Sequence, residues 1–149
     1  MSEPELDELN RVWHRLDPWD DVVPGLTRLK ERFVLATLSN GNISLMVEMA
    51  KRAGLPWDAI LGAEVAHHYK PDPEAYLTTA GLLGLRPEEC MMVAAHGTDL
   101  AAAAACGFRT AYVWRPLEYG PDRKRERPES GAFDVSVADF GELAAQAGA

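Results

Sequence analysis

The strongest constraint on this chain lies between Phe33 and Asn42, where a short apolar run stops at a polar tip and a helical pattern begins at once. Val34, Leu35, Ala36 and Leu38 form an almost continuous apolar stretch. It is too short for an ordinary helix and suits a parallel strand buried on both faces. Ser39, Asn40, Gly41 and Asn42 favour turns and caps, and ISLMVEMAKRAGL from Ile43 places its apolar residues with helical period. Strand, polar tip and helix in that order put ligands at the carboxyl ends of the strands of an open α/β sheet. Backbone N–H groups opening the Ile43 helix would face an anion there, beside the Ser39 hydroxyl and the Asn40 amide. The competing reading has Ser39 and Asn40 as caps only, and the tetrapeptide taken alone favours it.

The rest of the chain repeats the alternation. Residues 5–16 place Leu6, Leu9, Trp13 and Leu16 on one helical face, and Asp17-Pro18 stops that helix. Pro24 then opens a short helix with Leu26 and Leu29 turned inward. After the Phe33 strand and the Ile43 helix, which ends at Gly54, residues 59–65 suggest another strand. Asp72-Pro73 reads as N-cap and first residue of a helix, PEAYLTTAGLLGL, through Leu85. Met91–Ala95 is a second clear buried strand, followed by the polar tip His96-Gly97-Thr98-Asp99 and an alanine-rich helix stopping at Gly107. Arg109–Trp114 is a strand, the stretch from Arg115 to Gly131 a long irregular loop, and Phe133–Val137 a short strand before a C-terminal helix. Such alternation predicts a parallel sheet with helices on both faces.

A length of 149 residues fits one domain with a sizeable core. The net charge of −8 argues against a nucleic-acid or anionic-membrane surface. The basic run RKRER from Arg123 is short, diluted by Asp122, Glu126 and Glu129, and reads as a solvated loop. Cys90 and Cys106 lie far apart and form no metal-ligand spacing, so neither a disulfide framework nor a zinc site is expected. No stretch is long and apolar enough to span a bilayer, and the acidic amino terminus is unlike a signal peptide, which makes the cytoplasm the default location.

Four segments occur in a telling order: LSNG (Leu38–Gly41), KPDPEAY (Lys70–Tyr76), VAAHGTDLAAAAACG (Val93–Gly107) and TAYVWRPLEYGP (Thr110–Pro121). Together they resemble the haloacid dehalogenase superfamily, and within it the type II 2-haloacid dehalogenases. LDPWDDVVPGL (Leu16–Leu26) is similar to the segment where that family's helical cap rejoins the core. The resemblance implies an α/β fold with a Rossmannoid parallel sheet flanked by helices, residues 1–20 being a remnant of the cap and residues 21–149 the core. It implies (S)-2-haloacid dehalogenation, in which an aspartate displaces halide from carbon and the resulting ester is hydrolysed. Lys70 matches the lysine that neutralises the attacking carboxylate, and Asp99 the acid that holds this lysine and the attacking water. Ser39 and Asn40 match residues that hold the substrate carboxylate and receive halide, and Tyr76 one that lines the pocket. His96 is a candidate for positioning water, with an ordinary loop histidine as the competing reading.

Two departures from the family pattern bear on chemistry. Phosphatases of the superfamily carry a further acid four positions before Asp99, where this chain has Ala95. An alanine gives Mg²⁺ no hard oxygen ligand, so neither metal nor other cofactor is expected. The family's nucleophile follows a first strand near the amino terminus, and no such strand precedes Asp17, Asp20 or Asp21. The sheet is therefore expected to be incomplete, its first strand missing, with two inner edges facing a gap between the Phe33 and Met91 strands. The isolated chain is expected to bind a small 2-halocarboxylate or similar anion without turning it over. The alternatives are a non-catalytic fragment or subunit, completed by a second copy or by another chain, and a phosphatase.

Overall fold

The computed structural model describes residues 1–123, 127–129 and 131–149. Lys124, Arg125 and Glu126 of the basic run, and Ser130, lie outside the described residues.

The strands are parallel and alternate with helices, and they form two pieces rather than one sheet. β1 (Ala36–Ser39) pairs with β2 (Ala59–Gly62), Ala36 opposite Ala59 and Ser39 opposite Gly62. β3 (Met91–Ala94), β4 (Arg109–Val113) and β5 (Val135–Val137) make the second piece in that order. Among the described residues no backbone ladder joins β1 to β3. Each of these strands thus has one edge without a strand partner, as the sequence led us to expect.

Strand periodicity sorts the core onto two faces. Met92 of β3 and Tyr112 of β4 point to one side, against α5 (Pro73–Leu82) and α6 (Gly97–Ala105), in a cluster with Tyr76, Leu100, Ala103 and Phe108. Half-buried Leu38 of β1 joins this cluster, so it bridges the two sheet pieces with side chains alone. Ala111 and Val113 of β4 and Val137 of β5 point to the other side, against α2 (Val22–Lys30) and α7 (Phe140–Gln146), with Leu26, Leu29, Leu143 and Ala144. Gly25 lets α2 and α7 meet closely, since a Cβ there would lie 2.4 Å from Phe140 Cβ.

Several sequence expectations shift in detail. α2 starts at Val22 and not at Pro24, which still falls in the first turn, where a missing N–H costs no helical bond. Phe33 and Val34 lie before β1 and are 46% and 64% exposed, because Leu35 is where the chain first meets the Asp58 side. The expected strand over residues 59–65 gives way at Gly62 to α4, a single turn at Ala63–Ala66. The expected helix over residues 5–16 is α1 (Glu3–Arg11) followed by a 3-10 turn, Val12–Arg15. Its apolar face is not covered, Leu9 being 55% and Trp13 64% exposed. This segment is held to α3 (Ile43–Ala53) by His14, whose Nδ1 lies 2.8 Å from Glu48 Oε2, and by Arg52 donating to Asp17 Oδ1 at 2.8 Å.

Candidate active site

The tip of β1 is built first by its own residues. Ser39 Oγ accepts from the Gly41 N–H at 3.0 Å. Gly62, opposite, must be glycine, because a Cβ would stand 2.3 Å from the Ser39 carbonyl oxygen. Neither Ser39 nor Asn40 caps α3. Asn42 does, its Oδ1 accepting from the Leu45 N–H at 3.1 Å. The Ile43 N–H donates to Glu64 Oε2 at 2.5 Å. These two amides are satisfied within the chain, which corrects the expectation that they would face an external anion. Glu64 is a partner that reading did not foresee, since 21 residues separate it from Ile43.

Asn40 faces the segment between α4 and α5. Its Oδ1 accepts from the Lys70 N–H at 2.8 Å, and its Nδ2 donates to the Lys70 carbonyl at 3.1 Å. The peptide bond from Lys70 to Pro71 is cis. Lys70 then extends to Asp99 in the first turn of α6, its Nζ donating to Oδ2 at 2.5 Å, with both side chains largely shielded. Tyr76, in the first turn of α5 and fully buried, donates from its hydroxyl to Asp99 Oδ1 at 2.6 Å. Burial first, and then the Asp99 carboxylate, push the Tyr76 phenol well above its ordinary pKa, so the group stays a donor. Asp99 is thereby held at both oxygens.

Four of the expected site residues form one connected path, from the β1 tip through Asn40 and Lys70 to Asp99 and Tyr76. Ser39 stands next to it at the end of β1. The expectation that Tyr76 lines a pocket meets a different placement, because a fully buried ring touches Asp99 and the edge of Phe108. His96 is turned elsewhere: its Nε2 lies 2.7 Å from Glu118 Oε1, in the loop after β4.

The aspartates near the amino terminus are engaged or remote. Asp17 pairs with Arg52, nine residues into α3 from Ile43, about 14 Å down the helix from the tip. Asp20 is exposed. Asp21 accepts two bonds from Arg115 at 2.7 Å each and one from the Phe140 N–H at 2.9 Å. Arg115 lies between the Trp19 and Phe140 rings, 5.3 and 5.8 Å from their centroids. Burial works to raise the Asp21 pKa, but the Arg115 and Phe140 bonds outweigh it and the net shift is downward. Nothing local in the sequence announces this pair, 94 residues apart. Cys90 and Cys106 are free thiols with pKa values raised chiefly by burial, which disfavours a thiolate nucleophile. Among the described residues no group of three or more His, Cys, Asp and Glu side chains is placed to hold a metal ion.

A family model described as a hydrolase, haloacid dehalogenase-like hydrolase, matches residues 2–107. The chain belongs to the haloacid dehalogenase-like hydrolases. Within this family, the (S)-2-haloacid dehalogenase of Xanthobacter autotrophicus is 30% identical over 116 residues, covering 76% of this chain and 46% of the relative. A solved defluorinating L-2-haloacid dehalogenase superposes with a TM-score of 0.94 at 51% identity, over 100% of this chain and 61% of the other. Hexitol phosphatase A of Escherichia coli (strain K12) is 39% identical over 84 residues, 56% of this chain and 39% of that enzyme. The chain thus spans about half the length of the curated relatives it matches.

Proposed function

We propose that this chain forms the lysine and carboxylate-binding half of a (S)-2-haloacid dehalogenase site. The observation that carries this reading is the path Asn40–Lys70–Asp99–Tyr76, which holds an ammonium group by the β1 tip, in a chain related to 2-haloacid dehalogenases whose β1 and β3 each keep one edge without a strand partner. Lys70 supplies positive charge for a small 2-halocarboxylate and for the carboxylate that attacks it, and Asp99 fixes where that charge stands. Ser39 and the Asn40 amide border the same place. Residues 1–20 belong to a cap over it. The attacking aspartate is not among the early aspartates, for Asp17 and Asp21 pair with Arg52 and Arg115, and exposed Asp20 follows no strand. It comes from a strand outside these 149 residues that fills the gap between β1 and β3. Two free, half-buried thiols fit a reducing compartment, and we place the reaction in the cytoplasm.

The test is halide release from 2-chloropropionate by the purified chain, with Asp17→Asn beside it. We expect weak carboxylate binding and no halide above background. Turnover that appears on adding a peptide with an apolar strand ending in aspartate supports the split site. Robust turnover by the chain alone, lost in Asp17→Asn, overturns it.

The similarity to hexitol phosphatase A supports a second reading, a phosphatase. Ala95 weighs against it, because it offers no side-chain oxygen four residues before Asp99. Phosphate release that requires Mg²⁺ and stops with chelator would establish that reading over ours.

A further inference from the structure

We infer that Asn40 is a positioning residue for Lys70, its carboxamide standing in for the peptide group of a neighbouring strand. A backbone segment outside regular structure must find partners for its N–H and C=O or leave them to water. Lys70 sits in such a segment, after the α4 turn and before Pro71, which has no N–H to give. Asn40 meets both Lys70 groups at once, accepting from the N–H at 2.8 Å and donating to the carbonyl at 3.1 Å. A carboxamide suits this task because it carries a donor and an acceptor side by side. Asn40 directly follows β1, whose last residue Ser39 is packed against Gly62, so the clamp is fixed to a rigid element.

The result is a lysine restrained at both ends. Its backbone is held by Asn40 and its ammonium by Asp99 Oδ2, with little left to the flexible stem between them. Each polar atom of Asn40 has one bond to Lys70, so part of its effect on any bound anion runs through the place of the ammonium group. This rests on the proposed site for what Lys70 serves, but not for how Lys70 is held.

The test is NMR on the ¹⁵N-labelled full chain, following the Lys70 amide exchange rate and the Lys70 ammonium signal, the latter assigned with Lys70→Arg. In Asn40→Ala the Lys70 amide should exchange at least about tenfold faster, and the ammonium signal should move toward that of a free lysine. The Leu45 amide, capped by Asn42, should not change. Asn42→Ala should give the reverse pattern. Asn40→Asp keeps an acceptor for the Lys70 N–H and loses the donor to its carbonyl, so the amide should stay protected while the ammonium signal shifts. It also serves where Asn40→Ala does not fold. An unchanged Lys70 ammonium signal in the folded Asn40 variants would overturn the inference. Absence of carboxylate binding by the parent chain, with these shifts present, would instead count against the proposed function alone.

Discussion

At the scale of single residues, the site depends on donors that cannot leave. Tyr76 is fully buried and its hydroxyl reaches the largely shielded Asp99 carboxylate. Tyr76→Phe should therefore lower unfolding stability by about 2 kcal/mol, the usual worth of a hydrogen bond to a charged group. A urea titration checks this, and an unchanged midpoint would show that Asp99 finds another donor. Lys70, Asp99 and Asn40 were legible in the sequence because each stands at a strand end or a helix start within a motif. The partner of each atom was not legible. Asn40 and Lys70 are 30 residues apart, as Lys70 and Asp99 are 29, and which polar atoms meet depends on how strands stack.

At the scale of elements, two glycines give opposite predictions. Gly62 lies where β2 passes Ser39, and an added Cβ would collide with backbone that cannot step aside. Gly62→Ala should destabilise the protein by roughly 1–3 kcal/mol, as overpacking does. Gly81, inside α5, meets nothing within 4 Å, so Gly81→Ala should stabilise it by about 0.5–1 kcal/mol through the unfolded chain and helix propensity. Thermal melts of the two variants should move in opposite directions. The strands and helices were readable from apolar runs and their periods, with ends displaced by a few residues. Those displacements have physical sources. Asp58 accepts from the Leu35 N–H and from Lys30, and so sets where β1 begins. The α1 face misled as to burial, because periodicity reports an apolar stripe and not what lies against it.

For the whole molecule, the Asp21–Arg115 pair is a long-range tie that joins the start of α2 to the loop after β4 and the start of α7. The Asp21 pKa is lowered in the folded state, so its stabilisation is complete above the unfolded aspartate value near 3.9 and fades as pH falls through the lower folded value. Asp21→Asn should therefore be less stable than the parent at pH 7, with the difference shrinking below about pH 4. Stability differences that stay constant from pH 7 to pH 2 would remove this assignment. The split between the two sheet pieces has a further consequence, for cooperativity. With no ladder crossing from β1 to β3 among the described residues, melting of one piece is linked to melting of the other through side chains, among them Leu38 on one face, Leu35, Leu55 and Trp57 on the other, and the Lys70–Asp99 contact. The β1–α3–β2 unit should open at a lower temperature than the unit built on β4. Calorimetry should then give a total enthalpy above the van't Hoff value, and a strand bound in the gap should draw the two transitions into one.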